Sequence, residues 1–199
     1  VSQARNRIRI IGGRWRRRLL DFPDAAGLRP TPDAVREKLF NWLGQELDGL
    51  VCLDLFAGSG ALGFEAASRG ARQVVMVEQS RHVLDALRAS VASLQAETVV
   101  LRPRDGVKFL LENTRRFDVV FVDPPYGAGL QATVLSALPP HLNPDARVYV
   151  EHDGSLQLPA GWVVWREGRA GKAHFCLLKR IEPGHDIAPS GSLEQDSNA

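Results

Sequence analysis

Three short segments hold the residue types and spacings that could do chemistry. The first, Asp54-Leu55-Phe56-Ala57-Gly58-Ser59-Gly60-Ala61-Leu62-Gly63, closes an apolar run and contains G-x-G-x-x-G at Gly58, Gly60 and Gly63. Its glycines permit a sharp turn and close backbone approach to a ligand, and a helix beginning there offers free N–H groups. Dinucleotides and other adenosyl ligands both use this pattern, and a tight strand-to-helix turn without a ligand satisfies it too. Glu78 stands twenty residues after Gly58. A carboxylate there can accept both ribose hydroxyls of an adenosine, or simply start the following helix. Asp105, in Arg104-Asp105-Gly106, can cap a helix N-terminus or accept from an adenine amine, and the two roles are compatible.

The sharpest segment is Asp123-Pro124-Pro125-Tyr126. Two prolines remove two backbone donors and fix φ, leaving the Asp123 carboxylate and a rigid Pro124 carbonyl as outward acceptors. Tyr126 adds a flat ring beside them. Two acceptors and a stacking face are what a planar exocyclic amine on a nucleobase requires.

These segments need a scaffold that brings strand ends together, and the rhythm of the chain supplies one. Residues 51–56, 73–78, 98–102, 117–123 and 146–151 are short, β-rich, nearly continuous apolar runs, as buried parallel strands should be. Helical patterns lie between them at 60–69, 80–94, 105–113 and 129–138. Such alternation predicts a doubly wound α/β sheet with ligands beyond the carboxyl ends of its strands. Residues 161–166 and 173–179 leave no room for a crossover helix and predict an antiparallel hairpin at one edge. Ahead of the sheet, 7–11 and 14–20 alternate around Gly12-Gly13 as a basic β-hairpin. Thr31 reads as the N-cap of a helix over 32–43, with Pro32 at its first position and Val35, Leu39, Phe40 and Leu43 on one face.

The chain has 199 residues, 44% hydrophobic and 24% charged, close to the average for a globular domain and unlike a coiled coil, collagen or a disordered chain. No apolar run approaches the roughly 18–20 residues that span a bilayer, and no signal segment opens the sequence, so a cytoplasmic protein away from membranes is expected. Cys52 and Cys176 sit in apolar runs and read as reduced core residues, and no metal-ligand spacing is visible. The net charge of +2 conceals an asymmetry: residues 1–38 hold ten Lys/Arg against four acids, whereas 181–199 hold four acids and no Lys or Arg. Such an arm is the footprint of a polyanion partner. Arg7, Arg9, Arg14, an exposed Trp15, Arg16, Arg17, Arg18 and Arg29 are the candidate residues for that contact. The Ser/Gly/Asn-rich acidic end predicts a disordered tail.

LDLFAGSG and DPPY together resemble the Rossmann-like S-adenosylmethionine-dependent methyltransferases. RIIGGRWRRR, LRPTPDAVREKLFNWL and LDLFAGSGALGFEAASRG look more narrowly like the RsmD-type methyltransferases, which act on the exocyclic N2 amine of a guanine in 16S ribosomal RNA, and the resemblance spans about residues 7–180. The family often carries a Gly in the basic stretch after the Trp, where this chain has Arg16-Arg17-Arg18 unbroken. The resemblance implies a seven-stranded mixed sheet. It divides the chain into a basic RNA-binding hairpin and helix over 1–44, a methyltransferase domain over 45–181 and an acidic tail over 182–199. Gly58 and Gly60 would line the methionine and ribose part of S-adenosylmethionine, with Asp54 at the base of that loop and Phe56 beside it. Glu78 would hold the ribose and Asp105 the adenine amine. Asp123 and Pro124 would bind the target amine, with Tyr126 stacked on the guanine. S-adenosylhomocysteine is the implied product. The implied partner is small-subunit ribosomal RNA, naked or in a partly assembled subunit, met by a monomer that uses no metal. Alternatives are an amine methyltransferase acting on DNA adenine or cytosine or on a protein glutamine, an NAD-dependent oxidoreductase, and a basic RNA-binding module with a vestigial site.

Overall fold

Valine- and leucine-rich runs without polar alternation need cover on both faces, and they find it in one central sheet. The computed structural model describes residues 6–25, 28–125, 129–152, 154–171 and 173–181. An antiparallel pair, β1 (Asn6–Arg9) and β2 (Leu19–Phe22), precedes α1 (Asp33–Trp42). The alternating unit follows as β3 (Val51–Asp54), α2 (Ala61–Ser68), β4 (Gln73–Glu78), α3 (Arg81–Leu94), β5 (Val99–Pro103), α4 (Gly106–Glu112), β6 (Phe117–Val122) and α5 (Leu130–Ala137). Three long strands close the fold: β7 (Leu142–His152), β8 (Trp162–Ala170) and β9 (Ala173–Arg180).

The seven central strands lie in the order β5-β4-β3-β6-β7-β9-β8. β9 runs antiparallel between β7 and β8, so the terminal hairpin forms as its spacing predicts. One face is covered by α1, α2, α3 and the N-terminal hairpin, with Phe40, Phe64, Met76, Phe121 and Tyr149 in its core. The other packs Leu53, Val75 and Val120 against Phe109 of α4 and Val134 of α5. Strand order reverses between β3 and β6, which are direct parallel neighbours with Asp54 paired to Phe121. Their carboxyl ends therefore flank the crevice where open α/β sheets bind ligands. Cys52 and Cys176 are buried free thiols, as their apolar surroundings predict.

The N-terminal hairpin differs from the alternation-based expectation. Its strands are shorter, and residues 11–18 form a loop closed by Ile10 N–H to Arg18 O at 2.9 Å and Arg17 N–H to Ile10 O at 2.8 Å. Tertiary docking overrides the simple two-glycine turn. Arg14 N–H donates to Ser68 O at 2.8 Å and Trp15 N–H to Ser68 Oγ at 3.0 Å, fastening the loop to the end of α2. Gly13 has φ +71°, and a Cβ there would lie 1.8 Å from the Ser68 carbonyl oxygen, so only glycine permits this approach. Trp15 is consequently buried, at 8% exposure, with the Arg14 guanidinium 4.1 Å over its ring. The expectation of an exposed Trp15 is thus overturned.

A second difference lies at α1. The helix begins at Asp33 after Pro32, and Thr31 does not cap it. The Thr31 hydroxyl turns toward Asp123, while its carbonyl accepts from buried Arg36. Tyr126 and the acidic segment 182–199 lie outside the described residues.

Candidate active site

β3 ends at Asp54, but the chain stays tied to both neighbouring strands as it leaves. Leu55 N–H donates to Phe121 O at 3.1 Å and Ala57 N–H to Val77 O at 2.9 Å. Gly60, at φ +79°, then opens α2 in a left-handed conformation, and a Cβ on it would meet the Phe64 ring at 2.6 Å. The glycine thus lets the helix start directly beneath the loop. Asp54 is 2% exposed and its Oδ2 accepts from Gly63 N–H at 2.9 Å, which pins the first turn of α2 to the strand end.

Glu78 connects this loop to the next strand end. Its Oε2 accepts from Gly58 N–H at 3.1 Å and its Oε1 from Ser80 N–H at 2.7 Å. Each oxygen keeps a further lone pair, so a carboxylate already oriented by the backbone remains able to receive a pair of hydroxyls. Asp105 caps α4, accepting from Lys108 N–H at 3.0 Å. Its neighbour Gly106 lies so close to Phe56 that a Cβ would meet the ring at 2.8 Å.

One cavity of about 960 Å³ joins the glycine loop to the Asp-Pro-Pro turn. Asp54, Phe56, Gly58, Glu78, Asp123 and Pro124 line it, together with Arg29 and Thr31 from the segment before α1. Gly60 shapes the loop beneath, and Asp105 precedes the Gly106 that packs on Phe56; neither is part of the lining itself. Glu151, at the carboxyl end of β7, completes the wall and is 7% exposed, its carboxylate accepting from the Tyr149 hydroxyl at 3.3 Å. Sequence reading passed over Glu151, although the strand-end rule applied to β7 would have found it.

The Asp123 carboxylate is held by a chain of contacts absent from any motif. Thr31 Oγ donates to Asp123 Oδ2 at 3.5 Å. Arg36, 1% exposed, donates from Nε to Thr31 O at 3.1 Å and from Nη2 to Asp33 Oδ1 at 2.6 Å, and pairs through Nη1 with Glu65 at 3.3 Å. Glu65 is fully buried on α2 and also accepts from Ile11 and Gly12 N–H, each at 2.8 Å, and from Arg69 Nε at 2.8 Å. α1, α2 and the N-terminal loop are thereby joined by one charged knot.

Four carboxyls in one cavity make its electrostatics unusual. Burial pushes the Asp54 carboxyl up to about 7, opposed by the Gly63 hydrogen bond and assisted by the negative field of Glu78. Burial also raises Asp123, assisted by Glu151 and Asp54 and opposed by the Thr31 hydrogen bond. Arg29 is the one cation among the described lining residues. Such a cavity favours a positively charged ligand, which would relieve the mutual repulsion, and disfavours a pyrophosphate.

The arm arginines divide into two groups. Arg7 and Arg9 are paired with Asp21 and Asp33, each at 2.9 Å, and Arg18 donates to Ser93 O at 3.2 Å. Arg16 and Arg17 are exposed on the loop between β1 and β2. Among the described residues no group of three His, Cys, Asp or Glu side chains could hold a metal, and no helix is long and apolar enough to cross a membrane.

Comparisons with known proteins agree with this architecture. The family model described as conserved hypothetical protein 95 matches residues 8–179. Ribosomal RNA small subunit methyltransferase D of Escherichia coli K12 is 41% identical over 186 residues, covering 91% of this chain and 94% of that protein. The protein of the same name from Haemophilus influenzae is 41% identical over 188 residues, covering 90% and 97%. The solved structure of the yhhF protein of Escherichia coli superposes with a TM-score of 0.81 at 39% identity, covering 88% of this chain and 98% of that one.

Proposed function

The chain belongs to the RsmD family of ribosomal RNA small subunit methyltransferases, and on that premise we propose that it methylates the exocyclic N2 amine of a guanine in small-subunit ribosomal RNA, with S-adenosylmethionine as donor. The observation that carries the donor assignment is the cavity shared by Asp54, Glu78, Asp123 and Glu151. A sulfonium ligand with an amino-acid tail brings positive charge to these acids, whereas a dinucleotide would bring two phosphates. This disfavours the oxidoreductase alternative. When bound, S-adenosylmethionine supplies an electrophilic methyl group on sulfur.

In this reading Glu78 accepts the ribose hydroxyls, Gly58 and Phe56 line the nucleoside, and Asp54 fixes the loop that receives the methionine end. Asp105 would reach the adenine amine past Phe56 while it caps α4. Asp123 and the Pro124 carbonyl orient the target amine, and alignment of this kind can supply roughly 7–11 kcal/mol of a barrier. The amine nitrogen gains positive charge as its lone pair leaves the ring system, and an acceptor at its N–H bonds stabilises that change in the transition state. Asp123 suits the later proton as well, because its surroundings favour the neutral carboxyl. Tyr126 would stack on the extruded base, offsetting part of the unstacking cost by about 1–3 kcal/mol. Glu151 supports guanine over adenine: guanine offers two adjacent donors, N1–H and the N2 amine, to a wall holding two carboxyls, whereas adenine offers one donor and one acceptor.

Residues 1–44 would grip RNA around the target and 45–181 would carry out transfer, by a monomer in the cytoplasm. The test is incubation of purified protein with labelled S-adenosylmethionine and small-subunit RNA or particles from cells lacking it, followed by nucleoside mass spectrometry. Label in N2-methylguanosine is the expected result. Label in an adenine, a cytosine or protein overturns the substrate assignment, and no transfer with intact cofactor binding overturns the activity on RNA.

A further inference from the structure

Far from the glycine loop, three strands bring three cations onto one indole. Trp165 lies at a register shift in β8, between Val164 and Arg166, and its ring is half-buried against the core. Lys179 Nζ of β9 stands 4.5 Å from the ring centre, the Arg147 guanidinium of β7 4.6 Å and the Arg166 guanidinium 5.3 Å. Arg147 is held in place by donating to the Asp145 and Ala146 carbonyls. Among the described residues, none of the three has a carboxylate within 4 Å.

Burial and the fields of Arg147 and Arg166 disfavour the charged form of Lys179, with only Asp145 opposing. Stacking on an aromatic face orients these side chains without neutralising them. The array therefore keeps its repulsion unless an anion joins it.

Its place in the fold is informative. Arg147 lies four residues before Glu151 on β7 and on the same face, so about 13 Å separates it from the wall of the cavity at roughly 3.3 Å per residue. Along the way Lys38 of α1 stands 5.5 Å over Trp42, which packs on Phe175. The basic loop between β1 and β2 docks instead on α2, on the other side of the β3–β6 junction.

We infer that Arg147, Trp165, Arg166 and Lys179 form a second RNA-contact site, which takes phosphates of the strand beyond the target nucleotide. The inference rests on the RNA substrate proposed above. Cations ordered on an aromatic ring suit the backbone of a single strand, whose phosphates meet the charges while the indole holds the side chains in place. With the basic loop on one side and this array on the other, the strand would be gripped on both flanks of the cavity.

The test replaces Arg166→Gln together with Lys179→Gln, keeping Trp165 and Arg147, and measures RNA binding and methyl transfer between 50 and 300 mM salt. Each lost phosphate contact lowers the salt slope by about 0.7 and weakens binding roughly fourfold near 0.15 M salt, so the pair should raise KM for RNA on the order of tenfold. Cofactor affinity and melting midpoint report that the variant is folded. An arm variant, Arg16→Gln with Arg17→Gln, shows what loss of an RNA contact looks like in the same assay. If the arm variant weakens binding and the Trp165-cluster variant leaves both KM and salt slope unchanged, the second site is refuted while the RNA reading stands. A loss seen with assembled particles but not with naked RNA assigns the cluster to an acidic ribosomal protein and overturns the inference. Absence of RNA binding by the unaltered protein sinks the underlying reading itself.

Discussion

Replacing Glu65 by Gln removes the charge at the centre of the knot while keeping its size. The native carboxylate accepts from Ile11 N–H, Gly12 N–H, Arg36 and Arg69, and it is fully buried. An amide in its place presents N–H groups to two of these donors and leaves the buried Arg36 guanidinium without its buried counter-charge. Breaking a buried pair by neutralising one partner costs about 3–5 kcal/mol. For a chain of this size each kcal/mol moves the melting midpoint by roughly 2–4 °C, so a drop on the order of 10 °C is expected at neutral pH. Differential scanning calorimetry reads the midpoint, and amide exchange reads the mechanism. Protection should fall selectively at Ile11 or at Gly12, whichever amide comes to face the new N–H group, because the two are held by different oxygens of Glu65. A midpoint within about 2 °C of the unaltered protein, with protection retained at both amides, would refute the claim that Glu65 fastens the N-terminal loop.

Three further outcomes are expected. Asp123→Ala and Tyr126→Ala should each cut turnover while leaving S-adenosylmethionine affinity nearly intact by calorimetry; loss of cofactor affinity in either would dissolve the proposed division of roles. Glu78→Ala should weaken cofactor binding by about 10- to 100-fold, since a charged acceptor contributes roughly 1.5–3 kcal/mol, and an unchanged affinity would remove Glu78 from the ribose. Asp54 titrates near 7 in the fold against an ordinary 3.8, so folding favours its neutral form. The stability this brings is complete below pH about 4 and lost as pH rises through about 7. Between pH 5 and 8 the ligand-free protein should therefore lose more melting temperature than Asp54→Asn does, and parallel profiles would show that Asp54 is not held neutral by burial.

The sheet was legible because buried parallel strands must be apolar throughout, and the runs at 73–78 and 117–123 meet that demand with almost no polar interruption. The glycine loop was legible for a different reason: left-handed backbone at Gly60 leaves a mark in residue type. Tertiary choices among polar residues left weaker marks. Arg36 reads as a solvent-facing helix residue, yet its spacing from Phe40 and Leu43 is that of the apolar face, and Glu65 is the lone acid in ALGFEAAS. Those two irregularities were the available signal for a buried ion pair. Trp15 was misplaced because a tryptophan among arginines suggests nucleic acid, whereas the close approach permitted by Gly13 sets its backbone against Ser68 and its ring inward.

The same irregularities explain why the basic N-terminal loop and the candidate active site form one mechanical unit. Arg36 donates to the Thr31 carbonyl, and the hydroxyl of that residue donates to Asp123. The other side of Arg36 reaches Glu65, whose remaining lone pairs hold the backbone of the basic loop. A buried charge is costly to maintain and adds little net stability compared with apolar packing. Its geometric demands are strict, however, because every donor must meet its acceptor at once. An all-apolar contact between α1 and α2 would hold these helices equally well but would leave the Thr31 backbone and the loop free to slide. With the charged knot, the position of the Asp123 carboxylate is tied to the same few atoms that fix Arg16 and Arg17 on the surface.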